Sequence, residues 1–151
     1  MNDKFHRQDA GSIYVPPGGP PPVSPPSPEI YGLMGEANIF RMTLDFYKEL
    51  ESSSIAGMFP EDMAAASEKL GAYLVSRLGG PPIYQERHGD PRLRMRHIPF
   101  IINESSRQIW LACFKKVLDQ AETKYQFPAQ HKPSFWNFIE GFSGWMVNSS
   151  P

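Results

Sequence analysis

The chain has 151 residues, 40% of them hydrophobic, which is enough for one packed core of ordinary size. Its formal net charge of −1 lacks the basic excess of a nucleic-acid binder, so any arginine cluster is a local feature. The single cysteine, Cys113, excludes an intrachain disulfide framework and a CxxC metal site, and no apolar run reaches membrane-span or signal-peptide length, which predicts a cytoplasmic protein.

Residues 1–30 read as a proline-rich extension. The run "YVPPGGPPPVSPPSPEI" cannot build helix interior or sheet ladder, because proline lacks the N–H and fixes φ. Polyproline II or a flexible arm is expected. Two sharper readings stand beside that one: a docking peptide for a proline-recognition groove, or an arm packed on its own domain through Tyr14, Val15 and Ile30. Residues 31–151 read as one helical domain. In "ANIFRMTLDFYKEL", Ile39, Met42, Phe46 and Leu50 recur at helical spacing, with Phe40, Leu44 and Tyr47 on an adjoining face. "ESSS" ends that helix. Pro60, Glu61 and Asp62 suit a helix start, because proline fits the first turn and acids oppose the N-terminal dipole. Met63, Ala66, Leu70, Tyr73 and Leu74 then share a face until "GGPP" stops the helix. A connector over 81–91 leads to a short helix in "PRLRMRHI", which Pro99 ends at His97. Asn103 caps a long helix through about residue 124, with Ile109, Trp110, Cys113, Val117 and Ala121 inward. "KPSFWNFIEGFSGWMV" forms a last helix, apolar on most sides. No alternating strand pattern or internal repeat is present, so the fold class is all-α.

Nucleotide, zinc-protease and serine-hydrolase motifs are absent. His88 and Asp90 read as a solvated turn. Met42, Met58, Met63 and Met95 read as core filling, and Cys113 as an inert buried thiol. The stretch "RLRMRHIPF" is the informative one. Leu93 and His97 lie four apart on one helix face, while Arg92 and Arg96 share a neighbouring face. That layout suits a flat apolar cofactor with a metal at its centre and carboxylates at its edge, as in haem. By itself the stretch better suits a histidine capping a helix C-terminus, where a cation is favourable.

Four stretches, "DFYKEL", "MFPEDM", "LGGPPIYQERHGDPRLRMRHIPF" and "RQIWLACF", carry a further signal by their order and spacing. With the tryptophan thirteen residues after the histidine, the chain resembles a truncated haemoglobin of group II, from about Tyr31 to Asn148. The resemblance implies a two-over-two helical sandwich around haem b. It places His97 on the proximal iron ligand, Tyr47 on the distal tyrosine and Phe59 on the aromatic stacked on haem. Ala66 and Leu70 fall on distal-helix positions facing the ligand, and Trp110 on the tryptophan that marks groups II and III. Leu93, Arg96 and Tyr84 are expected at the cofactor, with Arg96 toward a propionate. Ala66 carries no donor where many globins have histidine or glutamine. Phe59 lacks the hydroxyl of some group II members, "GLMGE" stands where a glycine pair is expected, and Asp90 stands where relatives carry histidine.

The resemblance implies reversible binding of O₂ and other diatomic ligands. Bound O₂ gathers partial negative charge, and the Tyr47 hydroxyl and Trp110 indole N–H are the donors available to meet it. Two directed donors predict slow release, and small Ala66 predicts open access along the distal helix. A second reading is a redox enzyme of the same pocket, a nitric oxide dioxygenase or peroxidase. No flavin or reductase segment is present in the sequence, so that reading needs an external reductase. A third is a haem-free interaction module using the proline-rich arm.

Overall fold

The computed structural model describes residues 3–7, 13–20 and 23–150. The parts of the expected extension at 1–2, 8–12 and 21–22, and the last residue of the expected domain, lie outside the described residues.

Eight α-helices form among the described residues, and no strand: α1 (Ile30–Met34), α2 (Glu36–Glu51), α3 (Met63–Arg77), α4 (Ile83–His88), α5 (Leu93–His97), α6 (Glu104–Leu118), α7 (Ala121–Lys124) and α8 (Lys132–Met146). Helix α2 packs on α3 and crosses to α6, and α6 packs on α8, giving the two-over-two sandwich. The period of α2 dictates its burial: Ile39, Met42, Phe46 and Leu50 are sealed, and Tyr47 turns into the same core. Leu44, expected on the face that adjoins the core stripe, is 39% exposed. The α2–α3 approach is close enough to require glycine: a Cβ on Gly71 would fall 2.5 Å from the Phe40 ring.

Several boundaries differ from the sequence reading for local reasons. Asp62, not Pro60, caps α3, its carboxylate accepting from the Ala65 N–H at 3.0 Å. The expected connector at 81–91 contains α4, which buries Ile83 and Tyr84. Asn103 does cap α6, accepting from the Ser106 N–H at 2.9 Å, a link worth about 1 kcal/mol. The long helix breaks at Asp119–Gln120, however, and α7 follows as a separate turn. Gly79 closes α3 with φ +104°, and a Cβ there would meet the Pro28 carbonyl at 1.9 Å.

The described parts of the arm lie against the helical unit. Phe5 is buried, and His6 and Phe100 form an isolated antiparallel bridge flanked by Arg7 N–H to Pro99 O (2.7 Å) and Ile101 N–H to Phe5 O (2.8 Å). Val23 contacts the Gly141 face of α8, and Pro26 is buried. Of the three expected anchors, Ile30 is sealed and Tyr14 half-buried, whereas Val15 is 53% exposed. Among the methionines, Met42 fills core as expected, but Met95 on α5 is 63% exposed. Cys113 is buried, and that burial, then Glu49, pushes its thiol pKa up, which keeps it protonated and unreactive.

Candidate functional site

Helix α2 delivers Tyr47 to the interior beside Phe46. The Tyr47 ring meets Phe46 edge-on at 5.5 Å and Phe59 edge-on at 5.7 Å. Phe59 stands in extended backbone just after a tight turn at Ala56–Met58, which aims it back at α2. From the opposite pair, α6 brings Trp110 edge-on to the same Phe46 at 5.2 Å. Phe46 therefore joins the two expected donors, a role its place in the helical stripe did not announce. Burial pushes the Tyr47 phenol well above its usual range, so it stays a neutral donor. Neither the Tyr47 hydroxyl nor the Trp110 indole N–H has a hydrogen-bond partner among the described residues. Tyr47 is buried and Trp110 half-buried, and neither polar atom is sealed from open space, so both are free to donate to a bound group.

Helix α3 adds a second surface. Its sealed side is Ser67, Gly71, Leu74 and Val75, while the expected inward residues Met63, Ala66, Leu70 and Tyr73 are half-buried and pack against the same core. The aromatic chain continues from Trp110 through Phe142 (6.3 Å) to Tyr73 (5.8 Å) and Tyr84 (5.9 Å). It thereby reaches the α4–α5 region that carries the histidine.

His97 closes the five-residue α5, and its Nδ1 lies 2.6 Å from the Leu93 carbonyl oxygen. A carbonyl can only accept, so Nδ1 holds the proton and Nε2 presents a lone pair. Burial pushes the imidazole pKa down and outweighs the Leu93 bond, which raises it, so the neutral form is favoured; the same bond fixes the tautomer. Leu93 is half-buried and borders a cavity of about 530 Å³ together with Tyr73, Phe142, Arg92 and Trp145. His97, Tyr47 and Trp110 are not among that cavity's lining residues.

Arg96 and Tyr84, both expected at the cofactor edge, touch each other: Arg96 donates to the Tyr84 hydroxyl at 3.3 Å and to the carbonyls of His88 (3.0 Å) and Asp90 (2.7 Å). Arg96 is thus a brace for the α4–α5 connection. Arg92 lines the cavity and has no hydrogen-bond or ion-pair partner among the described residues. It sits at φ +33°, the left-handed turn that opens α5. Gly89 and Asp90 are exposed, in keeping with the solvated turn expected, but His88 departs from it by lying 2.9 Å from Glu68 on α3. No trio of His, Cys, Asp or Glu among the described residues could hold a bare metal ion.

The two-over-two helical sandwich is the fold of a truncated globin. The chain belongs to the bacterial-like globin family, whose model matches residues 29–148, and it is a haem-binding protein. It is 37% identical over 90 residues to the group 2 truncated hemoglobin YjbI of Bacillus subtilis, covering 59% of this chain and 68% of that one. The crystal structure of phosphate-bound Hell's gate globin IV superposes with a TM-score of 0.80 at 33% identity, over 87% of this chain and 81% of that one. The truncated oxygen-avid haemoglobin from Bacillus subtilis gives 0.72 at 31% identity, over 81% and 99%. Among the described residues no helix is long and apolar enough to cross a membrane.

Proposed function

We propose that this globin holds haem b through His97 and binds O₂ reversibly, with Tyr47 and Trp110 as the hydrogen-bond donors to the ligand. One observation carries the reading: a histidine with Nε2 presented belongs to the same fold as two donors, on buried Tyr47 and half-buried Trp110, that no described protein group engages. When bound, haem iron supplies the coordination site for a diatomic ligand. The chain supplies the rest. Leu93 O orients the imidazole, and Phe59, Ala66 and Leu70 offer an apolar half-buried surface for the macrocycle face. The cationic residue best placed to meet a propionate is Arg92, which is uncommitted; Arg96 already serves three acceptors. The donors Tyr47 and Trp110 are fixed by Phe46 before any ligand arrives, so little reorganisation opposes binding. The oxygen avidity named for the Bacillus subtilis relative is in keeping with that arrangement. A cytoplasmic location and a role in O₂ supply, sensing or scavenging belong to this reading. Consumption of NO or peroxide, with an external reductase, is the alternative; steady-state turnover with a reductant separates the two.

The test is haem titration of the purified protein followed by absorption. The wild type is expected to give a Soret band and a histidine-ligated spectrum, and His97→Ala to lose or greatly weaken both. Equal haem affinity with an unaltered axial-ligand spectrum in His97→Ala would refute the assignment.

A further inference from the structure

The segment that follows His97 has no secondary structure of its own until α6 begins, and α5 is too short to be held by helical cooperativity. Its position is set by the bridge to residues 5–7 and by one buried side chain, Asn148, just beyond the end of α8. Asn148 is fully buried and uses every polar group it has. Its Nδ2 donates to the His97 carbonyl at 3.1 Å. Its Oδ1 accepts from the Ile102 N–H at 3.0 Å and from Arg7 Nη2 at 2.9 Å. Its backbone N–H donates to Ile102 O at 2.9 Å, and its carbonyl accepts from the Tyr14 N–H and from Arg7. Arg7 also donates through Nε to the Ile98 carbonyl at 3.0 Å. A guanidinium from the amino-terminal arm, an amide from the carboxy-terminal end and the carbonyls of residues 97 and 98 thus form one closed network. Arg94 extends it, donating to Val147 O (2.9 Å), Tyr14 O (3.0 Å) and Trp145 O.

We propose that Asn148, clamped by Arg7 of the amino-terminal arm, is a positioning residue for His97 that sets the direction in which its Nε2 points. This inference rests on the reading of His97 as the axial ligand. The imidazole direction follows from two backbone points: the Leu93 carbonyl that holds Nδ1 and the His97 peptide that carries the side chain. Asn148 Nδ2, together with the Phe100 N–H at 3.0 Å, holds the second point, and Asn148 is the side chain that ties it to the rest of the fold. The charge of Arg7 polarises the Asn148 amide, and bonds in such chains strengthen one another. Because the clamp comes from residues 5–7, the arm acts on the proximal side of the site and is part of the globin unit.

The decisive variants are Asn148→Asp and Arg7→Ala. Asn148→Asp keeps the acceptor for Ile102 and Arg7 but loses the donor to His97 O. Arg7→Ala leaves Asn148 intact and removes the clamp. In the ferrous haem-loaded protein, the iron–histidine stretching band in resonance Raman should shift or broaden in both. Haem transfer to an acceptor globin should accelerate about tenfold, the usual scale for losing a group that orients a metal ligand. Asp45→Asn, which weakens the Asp45–Tyr125 tie between α2 and the end of α7, is the stability control and should leave the band unchanged. An unchanged band in both variants, or an equal shift in the control, overturns the proposal. Amide hydrogen exchange of the haem-free protein reads the clamp independently of haem: Ile101 and Ile102 should lose protection in Arg7→Ala, and retained protection counts against it. If the wild type gives no iron–histidine band at all, the axial assignment fails, while the exchange result still judges the clamp.

Discussion

Replacing Tyr47 with phenylalanine removes one oxygen and nothing else from the site. In the haem-free protein that oxygen has no hydrogen-bond partner among the described residues, and the ring is held by Phe46 and Phe59 at 5.5 and 5.7 Å. Deleting it strands no buried group, so the fold should lose no more than about 0.5 kcal/mol. The ligand complex should lose far more. A hydrogen bond to a charged acceptor in a dry site contributes about 1.5–3 kcal/mol. Each 1.36 kcal/mol is a factor of ten in rate, so O₂ release should accelerate about 10- to 100-fold. The assay is stopped-flow displacement of O₂ by CO from the ferrous protein, with thermal melts of the haem-free form alongside. An off-rate within twofold of wild type would refute the assignment of Tyr47 as a ligand donor. A large loss of stability at the same time would show instead that the hydroxyl supports the core.

Trp110→Phe removes the second donor while keeping an aromatic against Phe46, and should speed O₂ release by about tenfold; an unaltered rate would leave Tyr47 as sole donor. Combined with Tyr47→Phe, the effects should fall short of additive because both donors address one ligand; strict additivity would place them on separate sites. Gly79→Ala forces a Cβ into left-handed backbone and onto the Pro28 carbonyl, and should cost at least about 1–2 kcal/mol. An unchanged melting temperature would contradict the strained turn. Glu68 tests pH dependence. Burial pushes its carboxyl up, but hydrogen bonds from Arg87 and His88 outweigh this and hold it below the usual 4.5. With the folded value depressed, its contribution is present above 4.5 and lost as pH falls through the folded value. Glu68→Gln should therefore be less stable than wild type near neutrality, and urea midpoints should converge in acid; a constant difference across pH would refute the coupling.

The faces and helix ends that carry the candidate residues were legible in the sequence because the local rules act on neighbours along the chain. Period in α2 fixed the faces of Phe46 and Tyr47, Pro99 ended α5 at His97, and Asn103 started α6 in the register that points Trp110 inward. Side-chain commitment was less legible. Arg96 and Arg92 are equivalent by spacing, but only the fold brings Tyr84 and the carbonyls of His88 and Asp90 to Arg96. Helix α4 was hidden because Pro82 and the charged run read as a loop; its stability comes from burying Ile83 and Tyr84 against α3, a tertiary effect.

What the sequence determined alone is the helical class, the helix ends set by proline and capping residues, and the family pattern of histidine, tyrosine, phenylalanine and tryptophan. Hydrophobic period and φ restriction need no partner to act. What only the tertiary structure decided is how residues far apart in the chain satisfy one another. Phe46 became the hinge between two donors because α2 meets α6. Asn148 and Arg7, unremarkable in a sequence tail and a proline-rich arm, became the clamp on His97 because buried amides and guanidinium groups must find partners across the fold.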